Sequence, residues 1–564
     1  MILSMAHVAC THSPEQIQGV EPSRQSNPGV NIVPTNRIPP TLTATSENPL
    51  LYIAGPLPNG LIAFENLVTG QVSADPNSPL WFGAGSEEPK GDVLYASTWI
   101  YTLAAPFPTL LDDIRQADLI DFWQGNKSNQ LKNIPYIYIP DVLVPILDAR
   151  WQSHDPTTII VYEDIPESDT LWDENAWAVL PFDTLSPQLK VIRVDGISPL
   201  SKDYDSETDP LTVQYHLVKN QDVPMEIVSD QMQPILEAIS STNRHVDRMT
   251  TLVMTGVTAL VRATAYRMET YGFSYPAEKI IQWLSEADLT HISNEVSFYE
   301  DCPFPDPNST SLLFCSKPEY ITLFDMIGAD IIELTGNHNM DVKYVYGADV
   351  IPFTLDLYRK YGMQYYGGGL NLANASLPLR IIHHGNQLAF LGCNASGPDF
   401  AWATADQAGA APCGDYQWIV DAIHQLAEQS YLPIVTLQYY EDYYNYAEVH
   451  HIRDFSLVAE AGAVIVNGSQ AHRPKGMTFI GNAFVHYGLG NLFFDQMGVV
   501  VNGGQISQTR WEIIQRHTFY DNHLLSIELL TAMLEDYAQP RPMTAGERMM
   551  FLEELFSASG WVSR

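Results

Sequence analysis

From residue 249 onward, short apolar runs alternate with longer amphipathic segments, and this alternation constrains the fold more than any other feature. Residues 276–287 and 452–461 carry apolar side chains at helical spacing. The candidate strands are 251–257, 289–293, 329–335, 388–392, 433–437, 463–467 and 483–487. Strands that alternate with helices indicate a layered α/β domain.

One of these strands ends in a stretch that contains candidate site residues. Residues 333–341 read Glu-Leu-Thr-Gly-Asn-His-Asn-Met-Asp, so that Asn337 and His338 directly follow the glycine that ends the apolar run. Open α/β sheets place their sites at the carboxyl edge, where such a loop would lie. A capped turn with a satisfied loop histidine explains the same residues equally well. The residues at the other strand ends must distinguish a functional site from a capped turn.

Polar clusters follow several of the strands in the same way. They are Thr255-Gly256-Val257, Ser293-Asn294-Glu295, Gly336-Asn337-His338, Leu437-Gln438 and Gly468-Ser469-Gln470-Ala471-His472, with a tail at 487–496. In this order and spacing they resemble the capsule-biosynthesis CapA family, also called the poly-γ-glutamate synthesis family. The resemblance covers roughly residues 249–500. It implies a calcineurin-like metallophosphoesterase fold.

The residues depart from the family pattern at three positions. Val257 stands where such domains usually carry a metal-binding aspartate, and Gln438 and Gln470 stand where they carry histidines. A two-metal site needs several imidazole or carboxylate ligands around cations about 3.5–4 Å apart. Amide oxygens bind Zn²⁺ or iron poorly but are acceptable to Ca²⁺ or Mg²⁺. We therefore expect at most one hard cation.

The resemblance implies a role for each remaining residue. Glu295, Asn337 and His472 would hold a divalent metal ion whose identity is open, and His338 would be the catalytic acid. The further pocket residues that we predict are Asn294, Gln438, Asp442 and Gln470.

Two functions from different classes stay open on this evidence. In the first, the protein is a metal-assisted hydrolase or transferase that acts on a cell-surface polymer of the poly-γ-glutamate type, or on its precursor. In the second, the ion is absent, catalysis is lost, and the fold binds surface polymer. A run of tyrosines at 439–446 would suit polymer stacking in either case, although a solvated loop explains it equally well.

The chain before this region predicts a separate α/β domain at 49–225. Its segment 177–200, WAVLPFDTLSPQLKVIRVDGISPL, resembles the hinge region of type 2 periplasmic solute-binding proteins. No Ser/Gly loop that would cradle phosphate accompanies it, so a scaffold without ligand is an equal alternative. We predict a connecting helix at 226–248 and, after the CapA-like region 249–500, a C-terminal extension at 501–564 with a closing helix.

Composition limits the possible partners. The 564 residues carry a formal net charge of −37, which disfavours nucleic acid and anionic membrane surfaces because both need a basic footprint. No run of about 18 consecutive apolar residues is present, so the sequence predicts no transmembrane helix. We therefore expect membrane contact only through a lipid anchor.

The five cysteines and the first residues predict a location. Cys302 with Cys315 and Cys393 with Cys413 each flank a loop, which predicts two local disulfides; four unpaired buried thiols are the alternative. Cys10 lies in His-Val-Ala-Cys-Thr, which resembles the end of a bacterial lipoprotein signal, although residues 1–8 are too short for a complete apolar region. We expect an anchor and flexible tether at 1–48 and an extracytoplasmic lipoprotein.

Overall fold

The computed structural model describes residues 50–63, 72–84, 90–127 and 130–563. The predicted tether at 1–48, with Cys10, lies outside the described residues. The first part of the chain forms the strands β1 Leu51–Ile53, β2 Val72–Ser73, β3 Leu80–Gly83, β4 Gly91–Trp99, β5 Tyr101–Pro106, β6 Asp113–Ile114, β7 Ile137–Pro140, β8 Ile159–Tyr162, β9 Trp177–Pro181, β10 Leu189–Val191, β11 Arg193–Val194 and β12 Val213–Asn220. Its helices are α1 Gln116–Trp123, α2 Val144–Trp151, α3 Ser168–Glu174 and α4 Met225–Ala238.

These elements build two five-stranded sheets around one apolar core. The strand orders are β2-β1-β3-β12-β4 and β10-β5-β9-β7-β8. Helix α4, where we predicted a connecting helix at 226–248, packs Val228 and Ile235 into this core and ends at Ala238. Ile239 then bridges back to Ile62. Helix α4 is thus packed as part of the first domain.

The second part of the chain holds the longer alternation of strands and helices. Its strands are β13 Met249–Thr258, β14 Leu289–Asn294, β15 Ala329–Glu333, β16 Gln364–Tyr366, β17 Gly368–Gly369, β18 Leu379–His383, β19 Asn386–Asn394, β20 Gly409–Ala410, β21 Leu432–Gln438, β22 Ile465–Ser469, β23 Met477–Ile480, β24 Ala483–His486, β25 Val499–Val501, β26 Gly504–Ile506, β27 Trp511–Tyr520, β28 His523–Glu535 and β29 Gln539–Pro542. Its helices are α5 Arg262–Tyr271, α6 Ile281–Ser285, α7 Ile321–Met326, α8 Asp341–Tyr346, α9 Ile351–Lys360, α10 Leu372–Ala375, α11 Gln417–Glu428, α12 Val449–Glu460 and α13 Ala545–Ala558.

Two mixed sheets form the centre of this domain. The seven-stranded sheet has the order β16-β15-β14-β13-β27-β28-β29, and the six-stranded sheet has the order β18-β19-β21-β22-β24-β23. Strands β13, β14, β15 and β16 run parallel, as do β19, β21, β22 and β24. The carboxyl ends within each parallel set therefore lie at one edge of its sheet.

The side chains of β19 show how the layers are packed. Leu388 and Phe390 enter the apolar layer that also contains Met254 and Ile331 of the other sheet. The alternate residues, such as Leu391, pack with helices α11 and α12. On the far side, helices α5, α6, α7 and α9 cover the seven-stranded sheet. The domain is a four-layer α/β/β/α sandwich, which confirms the predicted class of a layered α/β domain preceded by another α/β domain.

Strands β27, β28 and β29 belong to the larger sheet, whereas β26 pairs with β25 in a separate two-stranded sheet. Strand β27 pairs antiparallel with β13 over Met249–Met254, and β28 and β29 follow it outward. We predicted a separate extension at 501–564, and its closing helix corresponds to α13. The sheet itself continues past residue 500, because β27 covers one side of β13, whose residues are all buried.

Two disulfide bonds are present in the second domain. They join Cys302 to Cys315 and Cys393 to Cys413. No helix among the described residues has the length and apolar character of a membrane span.

The layer between the two sheets supplies a test of the architecture. Phe390 is fully buried in it, so Phe390→Ala should lower the free energy of unfolding by about 3–5 kcal/mol. Ile382→Ala, on the paired strand β18, changes a side chain that is 64% exposed and should cost less than about 0.5 kcal/mol. Guanidinium denaturation measures both values, and equal losses would contradict the packing described.

Candidate functional site

Four strand ends of the second domain deliver polar side chains to one place. Glu295 follows β14, and Asn337 and His338 lie on the loop after β15. Gln438 is the last residue of β21, and Gln470 and His472 follow β22. Strands β14 and β15 belong to one sheet and β21 and β22 to the other, so the site lies where the carboxyl edges of both sheets meet.

Gly336 allows two of these loops to touch. A Cβ atom at this position would lie 2.6 Å from the Cα atom of Glu295, which is closer than a side chain tolerates. The glycine of the Gly-Asn-His stretch is therefore required so that the backbone after β15 can pass directly over Glu295.

The side-chain amide of Gln438 is the centre of the cluster. Its Nε2 donates to Glu295 Oε1 at 2.9 Å and to Asn337 Oδ1 at 3.3 Å, and it also contacts Gln470 Oε1. An amide group has two N–H donors, whereas three oxygens face it. The buried cluster thus holds more acceptors than donors. A 180° rotation of the amide would bring its own oxygen to the same point.

The half-buried His338 forms a pair with a buried residue that we did not predict. Its Nδ1 lies 2.7 Å from Asp341 Oδ2, and the same oxygen accepts the backbone N–H of Phe314 at 2.9 Å. Burial by itself would lower the pKa of His338, but the hydrogen bond to Asp341 and the charge of Glu295 raise it above the ordinary value. His338 is therefore suited to carry a proton near neutral pH.

At Glu295, burial and neighbouring charges shift the pKa in the directions opposite to those at His338. Burial raises the pKa of its carboxyl group, and the charges of His338 and His472 counteract only part of this effect. A fully buried carboxylate needs a positive partner. In this cluster, the positive charge can come from a protonated imidazole or from a cation.

The hydrogen bond of His472 leaves one ring nitrogen facing the cavity. Nδ1 lies 2.8 Å from Asn491 Oδ1, an acceptor, so Nδ1 carries the proton. The Nε2 atom then has a free lone pair, and it lies 3.8 Å from Glu441 Oε1. This is the arrangement in which histidine binds a metal, with a second residue fixing its orientation. Asn491 belongs to the glycine-rich tail of the motif, but we did not predict it as a site residue.

The cluster opens into a cavity of about 330 Å³. Its walls include Glu295, Asn337, His338 and His472 among the predicted residues. The lining residues that we did not predict for the site include Arg262, Asp341, Glu441, Tyr443 and Phe494. Asp341 could have been found from its position three residues after His338, whereas Arg262 has no signal in the sequence.

Two predicted pocket residues lie elsewhere. Asn294 donates from Nδ2 to Tyr358 Oη at 2.6 Å and to Val296 O at 2.9 Å, within the helix-covered side of the sheet. Asp442 forms an ion pair with the buried Lys475, in which Oδ1 lies 2.7 Å from Nζ. Neither side chain lines the cavity, so the prediction is corrected for these two residues.

Val257 occupies the position where the resemblance implies a metal-binding aspartate. It is fully buried, and its backbone pairs with Gly490 and Leu492 through bonds of 2.9 and 2.8 Å. It does not line the cavity. The position therefore contributes neither a charge nor a ligand.

A separate group of possible metal ligands lies outside this cavity. Glu448, His450 and His451 are close enough for one ion. These residues begin α12, where the His451 ring accepts the backbone N–H of Glu448 at 3.4 Å as part of a capping box. Burial and the charge of Lys475 lower the pKa of His451 to about 3. Helix capping accounts for the group.

Comparison with known proteins supports the predicted resemblance. Residues 251–496 match the family described as Bacterial capsule synthesis protein PGA_cap. The capsule biosynthesis protein CapA of Bacillus anthracis is 20% identical over 313 residues, which are 55% of this chain and 73% of that protein. The resemblance to the CapA family is thereby confirmed for this region.

Solved structures were compared as well. The NAD nucleotidase of Haemophilus influenzae is similar with 11% identity and a TM-score of 0.26, covering 55% of this chain and 56% of that chain. An ABC-type phosphate transport receptor from Vibrio cholerae is similar with 10% identity and a TM-score of 0.24, covering 28% of this chain and 74% of that chain.

The pair of His338 and Asp341 leads to a prediction about pH. Asp341→Asn should lower the pKa of His338, because burial then outweighs the remaining charge of Glu295. In the unchanged protein the raised pKa stabilises the fold fully below about pH 6.5, and this contribution is lost as the pH rises through the raised value. Titration of histidine resonances by NMR measures the pKa, and an unchanged value in the variant would contradict the pairing.

Proposed function

We propose, on the premise that residues 251–496 are a CapA-type capsule-synthesis domain, that this protein acts on a capsule or other cell-surface polymer as a metal-assisted hydrolase or transferase. The observation that carries the proposal is the cluster of Glu295, Asn337, Gln438 and Gln470 beside His338 and His472. Oxygen ligands and one imidazole suit a single hard cation, whereas a pair of cations would lack ligands.

The residues at the cluster fit such an ion. Glu295 offers a carboxylate oxygen, Asn337 and Gln470 offer amide oxygens, and His472 offers Nε2. Gln438 could add its own oxygen after rotation of its amide. The excess of acceptors over donors around this amide is what a cation would relieve. When bound, a divalent cation would act as a Lewis acid toward a substrate oxygen.

The chain's own residues would handle the proton and the substrate. His338, protonated and held by Asp341, faces the cavity and would donate a proton to the leaving group. Arg262 is neutralised by a bidentate contact with Asp495, while Glu295 and Glu441 add negative charge. An anionic polymer of the poly-γ-glutamate type would therefore need the cation to enter this cavity.

We further propose that the protein works outside the cytoplasm, attached to a membrane through Cys10. The two disulfides support an oxidising compartment, because such bonds persist there and are rare in the cytosol. The family match supports a role in capsule synthesis.

One observation favours a non-catalytic binding protein as the second candidate. Tyr440, Tyr444 and Tyr446 are exposed on the loop that follows Gln438, and the last two are stacked with ring centroids 5.2 Å apart. Exposed aromatic rings beside a cavity can hold a polymer by stacking. Val257 at the expected aspartate position also suits this candidate, because it removes a ligand.

Metal analysis separates the two candidates. The protein reconstituted with Mg²⁺, Ca²⁺ or Mn²⁺ should hold one ion per chain, and His472→Ala should weaken binding by about 100-fold. His450→Ala is the matched control and should leave this ion in place, because His450 lies outside the cavity. Elemental analysis after dialysis measures both results.

The proton donor is tested in the same protein. His338→Gln should keep the ion but lower capsule formation in a strain that depends on this chain, by about 10²–10⁴ if the chemical step is limiting. Absence of any bound ion, together with full function of His338→Gln, would leave only the binding candidate.

A further inference from the structure

A second cavity, of about 240 Å³, lies between the first domain and the end of the chain. The first domain contributes Asp112, Lys190 and Arg193, while β28 and α13 contribute Glu528 and Arg548. Most of the remaining wall is apolar, with Phe107, Trp283, Leu552 and Phe556 among its side chains. This cavity shares no lining residue with the one at Glu295 and His338.

Two cations share a single carboxylate at the wall of this cavity. Lys190 Nζ lies 2.7 Å from Asp112 Oδ1, and Arg548 contacts both carboxylate oxygens at 2.7 and 2.8 Å. The contacts connect the first domain to α13, since Arg548 lies on that helix. One negative charge thus faces two positive charges, and the three groups together carry an excess of one.

Arg193 adds a third positive charge. Among the contacts of the described residues, its guanidinium has no ion-pair or hydrogen-bond partner, although it is half-buried and lines the cavity. The nearby carboxylate of Glu528 faces the guanidinium of Arg516 at 3.7 Å. The cavity wall therefore carries three cationic side chains against two carboxylates, in a protein whose formal net charge is −37.

The pKa of Lys190 is consistent with this excess of positive charge. Burial, together with the charges of Arg548 and Arg193 and against the opposing effect of Asp112, lowers the pKa of Lys190 to about 8. An anion in the cavity would offset the repulsion among the cations and satisfy the donors of Arg193.

We propose that this cavity is a binding site for a small organic carboxylate with an apolar body. Arg193 would bind the carboxylate group through its paired N–H donors, and the aromatic and aliphatic wall would cover the body. The size is sufficient, because a cavity of about 150 Å³ already holds benzene. Since its wall is built from both parts of the chain, the bound molecule would stabilise their contact.

Calorimetric titration of the full chain tests the site with phenylacetate as the probe. We expect saturable binding of phenylacetate and at least about tenfold weaker binding of the neutral phenylacetamide, because only the acid supplies the charge. Arg193→Met should weaken phenylacetate binding by a similar factor while leaving the ion pairs of Asp112 intact. Arg359→Met removes an exposed arginine of α9 and should have no effect.

The location is tested with a variant of the other cavity. His472→Ala should bind phenylacetate as the unchanged protein does, so failure of the proposed capsule function would not affect this result. The proposal is overturned if neither phenylacetate nor hexanoate binds saturably up to about 10 mM. It is equally overturned if the amide binds as well as the acid, if Arg193→Met binds normally, or if His472→Ala abolishes binding.

Discussion

The apolar layer between the two sheets is the contact on which the site depends. Met254 and Ile331 of one sheet meet Phe390 and Ile434 of the other, and this packing fixes how the two sheets face each other. The loops after β14 and β15 leave one sheet, and those after β21 and β22 leave the other. No single loop contains the cluster, so the distance from Glu295 to Gln438 is set by side chains that do not take part in it.

The charges of the clustered side chains then determine which chemistry the site can support. Burial of each group alone would cost free energy, whether the Glu295 carboxylate, the His338 imidazole held by Asp341, or the amide oxygens that have too few donors. Together they are complementary, with Glu295 raising the pKa of His338 while the two histidines limit the increase at Glu295. Gln438 and Gln470 contribute uncharged amide groups to this cluster, and Val257 contributes neither a charge nor a ligand.

The order of strands and the main site residues were predictable because local pattern determines them. A short apolar run followed by Gly336, Asn337 and His338 is visible in the sequence, and parallel pairing places it beside Glu295. Asn294 was misplaced because successive side chains in a strand point to opposite faces, so that it faces Tyr358 while its neighbour reaches the cluster. Asp442 was misplaced because its partner, Lys475, lies on a different loop. Such pairings depend on tertiary packing, which no local pattern encodes.

Strand β27 has a consequence for the order in which the protein is made. It covers the flank of β13, yet the pairing joins Met249 to Tyr520, so the ribosome must translate nearly the whole of the second domain before this flank is covered. Until then, β13 pairs only with β14 and its other edge is open, and an open strand edge can pair with other chains. The main core of the first domain, by contrast, is complete once Ile239 has been made. The nascent chain therefore passes through a stage in which this core is complete while one edge of β13 is still open.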